Sequence, residues 1–239
     1  MRTCPPTPVH RDQDGGGDAR CPVCGRNTRT PVDGRGPVCF CCRTVAAQLR
    51  LPLVPLVALS EYRVGDRSHR RLRSYKDGPV AEARDRSRDD LVAELARAVA
   101  RPNGPTARLG RWAVVTTVPS TARPGGAPAE RLVDRVPGLA ERHLRLLVRG
   151  RGSGGHLRAA REVFALAPGV DRAGLAGLPV LVFDHTTTTG ASAQSAAATL
   201  RLGGARVVGI LAMGRALAPV AGPRPPADVG TARQVRPGT

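Results

Sequence analysis

Residues 180–192, VLVFDHTTTTGAS, hold the densest set of groups in the chain that could do chemistry. An apolar run, 180–183, reads as a buried strand and delivers Asp184 and His185 at its carboxyl end. A hydroxyl-rich loop with Gly190 follows, and residues 191–202 (ASAQSAAATLRL) read as a helix. In such an order the loop amides and the first unpaired N–H groups of the helix point at one spot, where the helix dipole favours negative charge. Thr187, Thr188, Thr189, Gly190, Ala191 and Ser192 are therefore candidate anion-binding residues, with Thr188, Thr189 and Ser192 adding hydroxyl donors. Asp184 can accept hydrogen bonds from a sugar hydroxyl. Phosphate plus ribose is the ligand this implies; the plain alternative is an ordinary strand–turn–helix of an α/β domain.

A second constellation lies near the amino end. Cys21-Pro-Val-Cys24 and Cys39-Phe-Cys41-Cys42 give C-x2-C, fourteen residues, C-x2-C. Cys21, Cys24, Cys39 and Cys42, so spaced, can close a tetrahedral zinc site, and Gly25 permits the tight turn it needs. So short a segment has almost no core, so the metal would supply its folding energy. A redox dithiol or incidental thiols are the alternatives; Cys41 is a poorer-spaced substitute ligand.

The elements that must position these groups can be read more coarsely. Residues 52–62 suit a strand interrupted early by two prolines. Residues 66–75 suit a basic helix, and 89–100 an amphipathic one, with a capping box at Ser87 and Asp90. Residues 112–118 read as a buried strand stopped by Pro119. Two helical stretches, 127–136 and 139–148, come next, then a short strand at 162–166. A strand at 206–213 follows the 191–202 helix, which Gly203 and Gly204 stop. Strand, helix and strand with short links make a parallel crossover, and ligands of parallel sheets sit beyond the carboxyl ends of the strands. The loop after residue 118, with Ser120, Thr121 and Arg123, would share that edge; a polar surface turn is the plain alternative.

Composition bounds the rest. With 41% hydrophobic and 3% aromatic residues, the core must be mostly Leu, Val and Ala. The formal charge of +18 raises nucleic-acid binding, but Lys76 is the only lysine, the other basic residues are dispersed arginines, and no compact basic–aromatic patch accompanies them. Ala, Gly, Pro and Arg are all plentiful, a pattern that suits a GC-rich coding bias as well as a selected basic surface. No apolar run is long enough to span a bilayer, and residues 1–19 lack the apolar core of a secretory signal, so a cytoplasmic location is expected. The G-x-G-x-x-G at 150–155 follows a helical-looking stretch rather than a strand and is read as a flexible loop.

The run from Asp184 to Ser192 resembles the signature of type I phosphoribosyltransferases, an apolar strand, two acids and T-T-G-x-[TS]. The resemblance implies that the loop grips the 5-phosphate of phosphoribosyl pyrophosphate (PRPP). Asp184 matches the first acid, which holds ribose hydroxyls, and His185 stands in place of the second. It further implies pyrophosphate contacts from Ser120, Thr121 and Arg123, and magnesium bound with PRPP. Cysteine segment first and transferase core second resembles the ComF family of competence-associated, amidophosphoribosyltransferase-like proteins, from about Cys21 to Arg215. There a Tyr and a Lys-bearing helix lie between the two parts; Tyr62 and Lys76 fit those places. The segment after Arg123 lacks the aromatic and amides usual in the family.

The expected organisation is a disordered tail (1–19), a zinc ribbon (20–43), a hood or connecting region (44–105), a core with a parallel sheet flanked by helices (106–217) and a second disordered tail (218–239). The implied function is phosphoribosyl transfer from PRPP to a nitrogen acceptor. Two alternatives stand beside it: a non-catalytic PRPP- or nucleotide-binding protein in DNA uptake, and a zinc-ribbon nucleic-acid binder.

Overall fold

The computed structural model describes residues 20–26, 38–120 and 128–217; both expected tails lie outside these. Helix α1 (Phe40–Leu49) leads into strand β1 (Leu56–Tyr62), and α2 (Arg67–Asp77) and α3 (Ala81–Ala100) follow. A 3-10 turn (Pro105–Leu109) precedes β2 (Val114–Thr117). Short helices α4 (Pro128–Val133) and α5 (Pro137–Ala140) lead to a hairpin of β3 (Leu147–Arg149) and β4 (Phe164–Leu166). The last elements are α6 (Arg172–Leu175), β5 (Pro179–Thr187), α7 (Ala191–Leu202) and β6 (Arg206–Ala216).

The expected α/β class with a parallel sheet is what forms. The sheet has the order β1-β6-β5-β2 and every neighbouring pair is parallel. Strand β1, from the 44–105 stretch, is one edge of it. Successive side chains of β5 go to opposite faces, as the period-2 geometry of a strand requires. Val180 and Val182 pack with Ala193, Ala196, Ala197 and Leu200 of α7. Leu181 and Phe183 pack with Leu72 of α2, Leu91 and Leu95 of α3, and Leu132 of α4. The register of β5 on β6 shifts between Val180 and Leu181, so that Val207 and Ile210, three apart, share the α7 face. Helices thus cover both faces, the usual condition for a parallel sheet. No helix among the described residues is long and apolar enough to cross a membrane.

Three local readings differ from the structure. Helix α3 starts at Ala81, without a side-chain cap, and Ser87 lies inside it. The preceding AEAR segment consists of strong helix formers, which extend the helix past the expected box. Residues 139–148 are not one helix. The Val115 N–H donates to the Arg142 carbonyl at 2.9 Å and the Leu144 N–H to the Val115 carbonyl at 2.9 Å, so this stretch pairs with the edge of β2 instead. The third is the glycine-rich loop: the N–H groups of Gly150 and Gly152 donate to the carbonyls of Val163 and Glu162, which extends the β3–β4 hairpin.

Candidate functional site

Strand β5 outlasts its neighbour β2, and that difference opens the site. Strand β2 pairs with β5 only as far as Thr117 opposite Phe183. The Val118 N–H still reaches the Phe183 carbonyl at 2.9 Å, but Pro119 has no N–H and the chain leaves the sheet. Strand β5 continues through Asp184 to Thr187 against β6 alone. A cavity of about 370 Å³ lies at this corner. Its polar lining includes Lys76, Asp77, Ser120, Asp184, His185 and Ser192, with Thr186 beside them.

Helix α2 brings Lys76 here. Asp66 caps its amino end, its Oδ1 accepting the His69 N–H at 2.7 Å, and Lys76 sits in the last turn, where the dipole favours a cation. The helix lies close to the sheet because β6 has no side chain at Gly214. A Cβ there would come within 2.4 Å of Leu72 Cδ1.

Lys76 Nζ meets His185 Nε2 in hydrogen-bonding contact. An ammonium has only donors, so Nε2 accepts and the neutral ring carries its proton on Nδ1. That nitrogen lies 3.5 Å from Asp184 Oδ1. The Thr186 hydroxyl is 3.0 Å from Nε2. Burial, and then the Lys76 charge, hold His185 well below its usual pKa, so the ring is neutral at physiological pH. Burial pushes Asp184 up to about 7, against the lowering effects of the backbone N–H of Thr186, the Lys76 charge and the backbone N–H of His185. The acid at the cavity therefore changes charge near neutrality. Tyr75, next to Lys76 in α2, is buried, its hydroxyl without a hydrogen-bond partner among the described residues. Burial, then the Asp184 charge, raise its pKa and keep it a donor.

The loop between β5 and α7 is built more tightly than an open cradle. Gly190 caps α7 with φ +81°, a conformation that L side chains rarely adopt. The Thr189 hydroxyl donates to the His156 carbonyl and accepts the Ala191 N–H at 3.3 Å. The Thr188 carbonyl accepts from Arg26 Nη2 at 2.9 Å. Thr187 and Ala191 are buried. Among the residues of the expected anion loop, only Ser192 borders the cavity as described. Ser120 borders it from the other side, while Thr121 and Arg123 lie outside the described residues. The sequence reading missed Tyr75, Asp77 and Thr186. Each adjoins a residue it did single out, Lys76 or His185, and that adjacency was the available signal. It also missed Arg26, for which two residues past Cys24 was the only hint.

The four cysteines converge as their spacing requires. The Sγ atoms of Cys21, Cys24, Cys39 and Cys42 all lie within 4.8 Å of one another. Zn–S bonds of about 2.3 Å in a tetrahedron put sulfurs about 3.8 Å apart. Cys24 and Cys39 are at 3.7 Å, so these four could hold a zinc ion. Cys21 and Cys24 sit on a tight turn, closed by the Gly25 N–H on the Cys21 carbonyl at 2.7 Å. Cys39 caps α1 and Cys42 lies in its first turn, where the helix dipole favours thiolate. Hydrogen bonding with Cys24 pulls the Cys21 thiol far down, and the same contact pushes Cys24 up. Thiols this close cannot all ionise without a cation among them.

No protein-family model matches the chain. No curated protein matches it either. Among solved structures it is similar to the adenine phosphoribosyltransferase of Leishmania donovani, at 16% identity and a TM-score of 0.32, covering 57% of this chain and 66% of that one. The chain thus spans just under two thirds of that protein's length.

Proposed function

We propose that the chain binds PRPP, or a ribose 5-phosphate derivative, at the corner between β5, α7 and α2. The observation that carries this reading is that Asp184 lines the cavity, one short loop before the amino end of α7. Ribose hydroxyls would be accepted by Asp184 and the 5-phosphate by the first-turn amides and hydroxyl around Ser192. Lys76 and Ser120, which line the same cavity, would meet the pyrophosphate. Zinc, held by Cys21, Cys24, Cys39 and Cys42, has a structural role in this reading, because the cluster packs into the apolar core beneath α7.

In a transfer reaction an acceptor nitrogen bonds to C1 of the ribose. The C1–O bond breaks, pyrophosphate leaves with its electron pair, and the nitrogen loses its proton to water. The protein's part is positioning and charge neutralisation. Lys76 would neutralise the departing pyrophosphate. Asp184, once ionised, would hold the hydroxyls and face the positive charge that develops on the sugar. Magnesium does not fit a protein-held site here: of the two carboxylates that line the cavity, Asp184 has a raised pKa and stands beside an imidazole already engaged by an ammonium, Asp77 pairs with Arg73, and hard cations need several oxygen ligands. Magnesium would arrive on the oxygens of PRPP.

The Lys76–His185 contact favours a second reading, binding without turnover, since the position of the second acid carries no negative charge. Calorimetric titration with PRPP and magnesium, followed by pyrophosphate release with a panel of bases and amines, tests both. Binding with release supports transfer, binding alone supports the second reading, and no binding sinks both. Magnesium-dependent tightening in His185→Asp would identify position 185 as the place where the charge was lost. A cytoplasmic competence role, as in the ComF resemblance, is the wider setting this reading suggests.

A further inference from the structure

Arg26 connects the two constellations. It follows Gly25 on the turn that carries Cys21 and Cys24. That turn is held by the Cys21 N–H on the Arg26 carbonyl at 2.8 Å, and pinned to β1 by the Leu56 N–H on the Val23 carbonyl at 2.7 Å. From it the guanidinium crosses to the far end of the chain. Nη2 donates to the Thr188 carbonyl at 2.9 Å and to the Ala216 carbonyl at 3.4 Å. Nε is buried and without a hydrogen-bond partner among the described residues, and no carboxylate among them pairs with Arg26. His156, whose carbonyl takes the Thr189 hydroxyl, has its own Nε2 buried and without a hydrogen-bond partner among the described residues.

A half-buried guanidinium held by two neutral carbonyls, with its buried Nε–H unpartnered among the described residues, is costly. Its geometry explains what it does. Thr188 belongs to the three-residue link between β5 and α7, and Arg26 holds that link from behind. The turn that delivers Arg26 is the one a metal ion would fix, because two of the four thiolate ligands lie on it. Without the ion, the turn loses the constraint that sets its shape.

We propose that Arg26 is a positioning residue through which metal at the cysteine cluster sets the conformation of the 188–190 link. Where the phosphate reading of that link holds, it thereby also sets the affinity of the site for a phosphate monoester. The cysteine segment is then a working part of the site rather than an appendage.

The test uses the full chain as isolated, with its metal content measured, and compares wild type, Arg26→Ala and Arg26→Lys before and after chelation. Hydrogen exchange over 186–194 is the first readout, and calorimetry with inorganic phosphate and ribose 5-phosphate the second. Arg26→Ala should keep its zinc yet exchange the link about tenfold faster, as expected for the loss of a charge-assisted hydrogen bond. Chelation should loosen the link in wild type by a similar factor and add little in Arg26→Ala. Arg26→Lys should recover part of the protection. Wild-type exchange in metal-loaded Arg26→Ala, or equal loosening by chelation in both, would overturn the proposal. So would a chain that holds no zinc as isolated and takes up none. If the exchange pattern holds but neither phosphate nor ribose 5-phosphate binds wild type, the coupling stands and the phosphate reading falls.

Discussion

Lys76 at the end of α2 and His185 near the end of β5 meet Nζ to Nε2, although 109 residues separate them in the chain. The contact fixes the tautomer of the imidazole, whose Nδ1 lies 3.5 Å from Asp184 Oδ1. A lysine, an imidazole and a carboxylate thus adjoin one another at the cavity.

Removing the ammonium should be felt by both partners. Lys76 lowers the pKa of His185 and of Asp184. In Lys76→Met, which keeps much of the volume, both should rise. His185 should stay below its usual value, because burial is the larger cause. An NMR titration of the imidazole checks this; an unchanged His185 pKa in the variant would mean the contact does not exist in solution.

Asp184 should make stability fall as pH rises through the weakly acidic range. Its pKa goes from the usual 3.8 up to about 7 in the fold. Between these values the folded chain keeps a proton that the unfolded chain has released, so stability is lost as pH climbs through that window. His185 has the opposite sign: its depressed pKa gives stability that is present above about pH 6.5 and lost below it. Asp184→Asn removes the first effect alone. Its advantage over wild type should grow from about pH 4 to about pH 7 and then level, reaching on the order of 4 kcal/mol at about 1.4 kcal/mol per pH unit. Denaturant unfolding across this range measures it; a pH-independent difference would contradict the buried carboxyl.

Gly190 should tolerate almost nothing else. At φ +81° an L side chain is strained, and a Cβ would lie 3.2 Å from Leu56 Cδ1. Gly190→Ala should cost roughly 1–2 kcal/mol, and Gly190→Val more, because a β-branched side chain is worst in this region. In both variants binding of ribose 5-phosphate should weaken beyond the loss of stability. Retained affinity in a folded Gly190→Val chain would remove the link from the site.

Metal content should separate the cysteines. Cys42→Ser or Cys21→Ser should lose zinc, whereas Cys41→Ser should keep one ion per chain, since Cys41 is buried outside the cluster of four. Elemental analysis of unchelated protein decides it. Loss of metal in Cys41→Ser would reassign the ligands.

Much of this chain is legible without coordinates because its signals are local. The apolar run before Asp184, the glycine at 190 and the small-residue helix after it specify strand, turn and helix through nearest-neighbour sterics and capping. The C-x2-C pairs announce their own convergence, because thiolates at that spacing have few other uses. The two faces of the sheet follow from the alternation in β5 once a parallel crossover is assumed.

What the tertiary structure decided is where unlike segments meet. Residues 139–148 have a helical pattern, yet the backbone of 142–144 is spent on the open edge of β2, because pairing an exposed edge outweighs a weak local preference. The same holds at the site. That Lys76 would reach His185, and that Arg26 would reach Thr188 across 162 residues, depends on how α2 seats against Gly214 and how the cysteine turn is pinned to β1. Neither contact leaves a periodicity in the chain. The sequence supplied the groups that could do chemistry, and packing chose which of them face one another.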